Sequence, residues 1–132
     1  MQPIDVLTNR YGNARAGVNL AETRLNVKNV NAAGFGKLFG RPVDGDLYAQ
    51  PLIVSGMTIR GATCNVVFLA TSRNSVYAYE ADDPDACLPL WSTNLGSPVP
   101  RDDVYKKLGL TGHYLNFSSD IGSTGAPSSS AL

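Results

Sequence analysis

The sequence is short of charge, of histidine and of sulfur. Charged residues make up 17% of its 132 positions, against about a quarter in an ordinary globular chain. Lys+Arg is 11 and Asp+Glu is 11, so the net charge is zero. That balance gives no electrostatic reason to expect nucleic acid or anionic lipid as a partner. No apolar run approaches the roughly 18 residues of a membrane span. The opening MQPIDVLTNR has neither a basic n-region nor an apolar h-region, so no signal peptide is read there. The single histidine, His113, has Asp120 seven residues on but no G-x-S-x-G elbow, and reads as a loop residue. Gly34-Phe35-Gly36-Lys37 lacks the remainder of a phosphate-binding loop. Asp82, Asp83 and Asp85 lack the spacing and terminal Glu of a calcium loop, and with Pro84 they read as a solvated acidic tip.

What is present is apolar residue and turn former. Hydrophobic residues are 43%, which excludes a disordered chain. Thirteen Gly and eight Pro mark a chain full of turns. Residues 1–36 are polar and Asn-rich and read as an extended arm, with one helical turn near Val27 to Val30. Residues 37–100 carry the strand signals. KLFGRPV (37–43) is a short candidate, ended by the turn Asp44-Gly45-Asp46. In DLYAQPLIVSG (46–56), Pro51 demotes the centre to an edge or bulged position. NVVFLAT (65–71) has the continuous apolar run of a strand covered on both faces. SVYAYEA (75–81) alternates, with Val76, Ala78 and Glu80 on one face and Tyr77 and Tyr79 on the other. LPLWSTNL (88–95) is the next strand. Residues 101–132 read as a loop with a short helix over 101–110, N-capped by Asp102 or Asp103, followed by a flexible end.

Cys64 and Cys87 match no zinc spacing. If Thr71 faces Val76 in a hairpin, antiparallel pairing sets Cys64 opposite Asp83, and Cys87 lies just beyond in the returning chain. A disulfide and a pair of inert thiols both fit that placement. A bridge would imply an oxidising compartment.

Leu38-Phe39 and Leu90-Trp91 recur at an offset of 52 residues, Phe39 to Trp91, with three strand candidates between them. Four strands per period of about 50 residues is the signature of a β-propeller blade. The expected fold is therefore all-β: about one four-stranded antiparallel blade, parts of neighbouring blades and an irregular N-terminal arm.

Leu47-Tyr48-Ala49, Pro51, Val66-Val67-Phe68, Ala70-Thr71, Ser75-Val76-Tyr77-Ala78, Ala81-Asp82 and Leu90-Trp91 resemble the repeat of pyrroloquinoline-quinone (PQQ)-like, quinoprotein-dehydrogenase-like β-propeller proteins. The opening 5–39 resembles the lead-in of their secreted bacterial members, which supplies the closing strand of the last blade. The segment 120–127 resembles the start of a following blade. Two departures stand out. DDPDACLPLW replaces the usual tight Gly turn before the Trp, and SSSAL replaces the apolar strand expected after Pro127. The resemblance implies a secreted or periplasmic setting, with Gly45 in the turn and Pro51 in the segment after it as structural residues. It implies that Trp91 docks blade against blade, the alternative being a stacking floor for a flat cofactor or sugar. Tyr77 and Tyr79 become inter-blade packing, the alternative being a ligand surface.

Three functional readings follow. The leading one is a non-catalytic propeller segment with a scaffold or binding role, its partners other blades or copies of the same chain. It has no catalytic residue, no metal ligand and no cofactor of its own. The second is the N-terminal part of a PQQ-dependent alcohol or sugar dehydrogenase, with PQQ and calcium held by blades outside this chain. The third is a self-assembling subunit that completes its sheet with partner chains.

Overall fold

The computed structural model describes residues 5–98 together with Gly109. The helix expected over 101–110, His113, Asp120 and the expected start of a further blade lie outside the described residues.

The fold is essentially all-β. One short 3₁₀ turn, Asn9–Tyr11, precedes four strands: β1 (Leu52–Ile59), β2 (Ala62–Ala70), β3 (Ser75–Glu80) and β4 (Trp91–Asn94). They pair antiparallel in chain order, a simple meander in one open sheet. Each strand overlaps an expected segment, β1 only in its first five residues, and β2 starts at Ala62 rather than Asn65. β1 begins immediately after Pro51, which has no N–H to give a ladder, and it lies at the sheet edge. The register shift in β1 falls between Val54 and Met57, around Gly56 at φ 64°, rather than at the proline.

The β2–β3 register departs from expectation by one residue. Ala70, not Thr71, faces Val76. The cause is the turn. Thr71 N–H donates to Ser75 O, and Asn74 takes a left-handed conformation at φ 61°. Three residues therefore close the hairpin where four were expected. The ladder ends at Val66↔Glu80, two residues short of Cys64. Half-buried Cys64 and exposed Cys87 are both free thiols in this structure.

KLFGRPV does not become a strand. Residues 37–43 have no ladder partner and form an irregular strap. The outer edge of β1, which such a strand would need, is occupied by Val6. Val6 N–H donates to Ile53 O at 2.8 Å, and Ile53 N–H donates to Val6 O at 2.9 Å. The first part of the arm thus lies along its own sheet. The rest of the arm is irregular, and the helical turn expected at Val27 to Val30 appears as one hydrogen-bonded turn, with Val30 N–H on Asn26 O.

Candidate functional site

Alternation along paired strands divides the sheet into two faces. Val66, Phe68, Val76, Ala78 and Trp91 share one face; Val67, Leu69, Tyr77 and Tyr79 share the other, as the period-two pattern of SVYAYEA requires. The buried hydrophobic core is small: Val6, Val66, Leu69, Ala78 and Tyr79 among the described residues.

The tyrosine face is covered by the strap. Tyr77 and Tyr79 stack at 6.0 Å between centroids. Tyr79 is 1% exposed, and its hydroxyl donates to Pro42 O. Burial, with Tyr77 beside it, pushes the Tyr79 phenol above its ordinary pKa, against the opposing pull of Arg41. The Arg41 guanidinium lies 4.4 Å from the Phe39 ring centroid and 5.9 Å from that of Tyr79. Its Nη2 donates to the carbonyls of Glu80 and Asp83, tying the strap to the end of β3.

The strap then turns at Asp44-Gly45-Asp46 and locks the β2–β3 hairpin. Thr71 Oγ1 donates to Asp44 Oδ1 at 2.8 Å, and Ser75 Oγ donates to Asp44 Oδ2 at 2.6 Å. Burial alone pushes the Asp44 carboxyl upward. Hydrogen bonds from Ser75, Thr71 and Tyr77 together outweigh it and hold the group below its ordinary value. Ser72 N–H donates to Asp46 O at 2.9 Å. Gly45 is pressed against this turn: a Cβ there would meet Ser72 Oγ at 2.9 Å and Arg73 Cγ at 3.1 Å. Asp44 is therefore an acceptor for two buried hydroxyls, not half of an acid–base pair. Sequence reasoning took it for an ordinary turn residue. The available signal was a DGD turn in a chain whose hairpin carries hydroxyls at both Thr71 and Ser75.

The opposite face buries Val66 and Ala78 and is open beside them, at Trp91. Phe68 and Trp91 rings sit 6.0 Å apart, tilted by 49°, and Trp91 remains 40% exposed. Beside them runs a groove of about 910 Å³ lined by Leu7, Tyr48, Phe68, Ala70, Val76 and Leu95, among others. Thr8, Asn9, Gln50, Thr71, Asn74 and Ser75 line it as well, and Arg15 is the only charged residue among the described ones that do. Among the described residues, no three metal-capable side chains cluster. Asp82, Asp83 and Asp85 are exposed, with Asp82 accepting from Asn65 and Asp83 from the Asp85 N–H. No helix among the described residues is long and apolar enough to cross a membrane.

No family model, curated protein or solved structure matches the chain.

Proposed function

We propose that the chain is a non-catalytic β-propeller segment with a scaffold or binding role in a secreted or periplasmic protein, its four strands forming one blade. One observation carries the reading. Phe39 stands 52 positions before Trp91. Phe39 belongs to the strap over the tyrosine face, stacked beneath the Arg41 guanidinium that reaches Tyr79. Trp91 is its counterpart one repeat later, and lies exposed. A following blade with its own tyrosine face would take Trp91 as this one takes Phe39. Propeller blades carry periodic aromatic motifs of this kind, and each repeat packs against its neighbours. The groove beside Phe68, apolar along Leu7, Phe68, Val76 and Leu95 and polar along Asn9, Gln50 and Asn74, is a surface that a neighbouring blade could cover.

The test is the intact mass of the protein from its natural source. The blade reading expects a mass well above 14.0 kDa, with further copies of the repeat in the added sequence. A 132-residue protein that stays monomeric would overturn it.

A further inference from the structure

The two edges of the sheet are treated differently. In an antiparallel sheet the backbone N–H and C=O of alternate residues point to opposite neighbours. On β1, Ile53 and Ser55 point outward. Ile53 is paired with Val6 in both directions, and Ser55 N–H donates to Asp5 Oδ1 at 2.7 Å. That edge is covered at Ile53 and Ser55, in the first half of β1. On β4, Leu95 N–H donates inward to Asn74 O, so Trp91 and Thr93 face β3 while Ser92 and Asn94 face outward. Nothing among the described residues pairs with those outward groups.

Protein edges are usually guarded by Lys, Pro, a bulge or a covering segment. Here Pro89 and the out-of-register bond from Leu90 N–H to Ala78 O guard only the start of β4, and residues 86–98 carry no charge at all. All four residues of β4 are exposed. Two flanking apolar side chains are exposed with them, Leu88 at 81% and Leu95 at 63%.

We propose that β4 pairs antiparallel with β4 of a second copy of this chain, about a twofold axis at Thr93. The strand is self-complementary in that register. Ser92 meets the partner's Asn94 and Asn94 meets the partner's Ser92, each pair exchanging N–H···O bonds in both directions. Trp91 comes level with the partner's Leu95, twice over, so exposed apolar side chains cover each other. Thr93 faces its own copy, and no charge opposes the approach. The two sheets become one continuous eight-stranded sheet. This goes beyond the blade reading and does not depend on it: its hydrogen bonds come from the edge of β4, although both readings cover Trp91. The contact area is small, so the dimer is weak and concentration-dependent.

The experiment is sedimentation velocity on the full chain from about 1 to 200 μM, a range chosen for a weak dimer. The expected result is a shift toward twice the 14.0 kDa monomer mass. Ser92→Pro removes an outward N–H without touching the β3 ladder, and symmetry doubles the loss, so dissociation rises about thirtyfold. Thr93→Lys sets like charges across the axis and weakens the dimer about tenfold; mixing it with Thr93→Glu restores association. Circular dichroism and melting of all three variants check that the fold is kept. A wild-type chain monomeric throughout, an S92P variant that folds and dimerises as before, or a T93K and T93E mixture no tighter than either alone would each overturn the proposal.

Discussion

The strap and sheet (39–94) and the Asn-rich arm (21–34) are both full of hydrogen bonds, yet only one is a structure held at long range. Within 21–34, the hydrogen bonds join residues at most five apart, most of them Asn or Glu side chains returning to nearby backbone. Leu20 and Val27, in and beside that segment, are 94% exposed. In the sheet, by contrast, Asp44 reaches 27 and 31 residues along the chain and Arg41 reaches 39. Hydrogen-bond number therefore does not separate the two regions. What separates them is apolar burial, which rewards ordering at long range, whereas local side-chain caps compete with regular structure.

The sharpest way to break this contrast is to remove the residue on which the tyrosine face depends. Tyr79→Ala deletes the largest fully buried side chain and the hydroxyl that holds Pro42. The expected loss is about 3–5 kcal/mol, a large share of the stability of a small domain. Denaturant unfolding followed by circular dichroism reads it. A loss below about 1 kcal/mol would mean that the strap does not cover the core as described. Tyr79→Phe keeps the packing and removes only the hydrogen bond, so a loss of about 1 kcal/mol is expected.

Asp44 sharpens the comparison from the strap side. Asp44→Ala leaves the buried hydroxyls of Thr71 and Ser75 without their acceptor, and about 1–2 kcal/mol should be lost. The pH dependence has a fixed sign. The folded carboxyl lies below its ordinary value. Its contribution is thus complete above the unfolded pKa, near 4, and disappears as pH falls through the folded value. Wild-type stability should fall across that acid range by more than that of Asp44→Asn. Parallel acid curves for the two proteins would remove Asp44 from the account.

The same contrast explains how much could be read in advance. All four strands were legible because alternation and apolar runs report burial, and burial orders the sheet. The two faces of β3 followed from the spacing of Tyr77 and Tyr79 alone. The hairpin register was not legible, because it turns on a single left-handed residue, Asn74, and asparagine permits that conformation without requiring it. KLFGRPV misled because its pattern suits a strand, while the edge it would join is taken by Val6, some 30 residues earlier in the chain. The role of Asp44 was hidden for a similar reason: DGD is a turn in any context, and only the tertiary approach of Thr71 and Ser75 makes it an acceptor.

The smallest expected effect lies in the arm, and it tests the contrast from the opposite side. Asn29 accepts the N–H of Asn26 and donates to Arg24 O at 2.6 Å, two hydrogen bonds from one exposed side chain. Glu22 accepts the N–H groups of Leu25 and Arg24, which hold its carboxyl below the ordinary value. If local hydrogen bonds contributed to global stability in proportion to their number, Asn29→Ala would cost as much as Asp44→Ala. Because these groups are exposed and water replaces each lost partner, the expected change is under about 0.5 kcal/mol. Amide exchange should agree: protons at 21–34 exchange by local opening, while those of Val67 and Tyr79 on the central strands exchange only on global unfolding. Slow exchange across the arm, or a loss from Asn29→Ala matching that from Asp44→Ala, would show that the arm is stabilised by something other than its own turns. It would then have to be counted with the sheet.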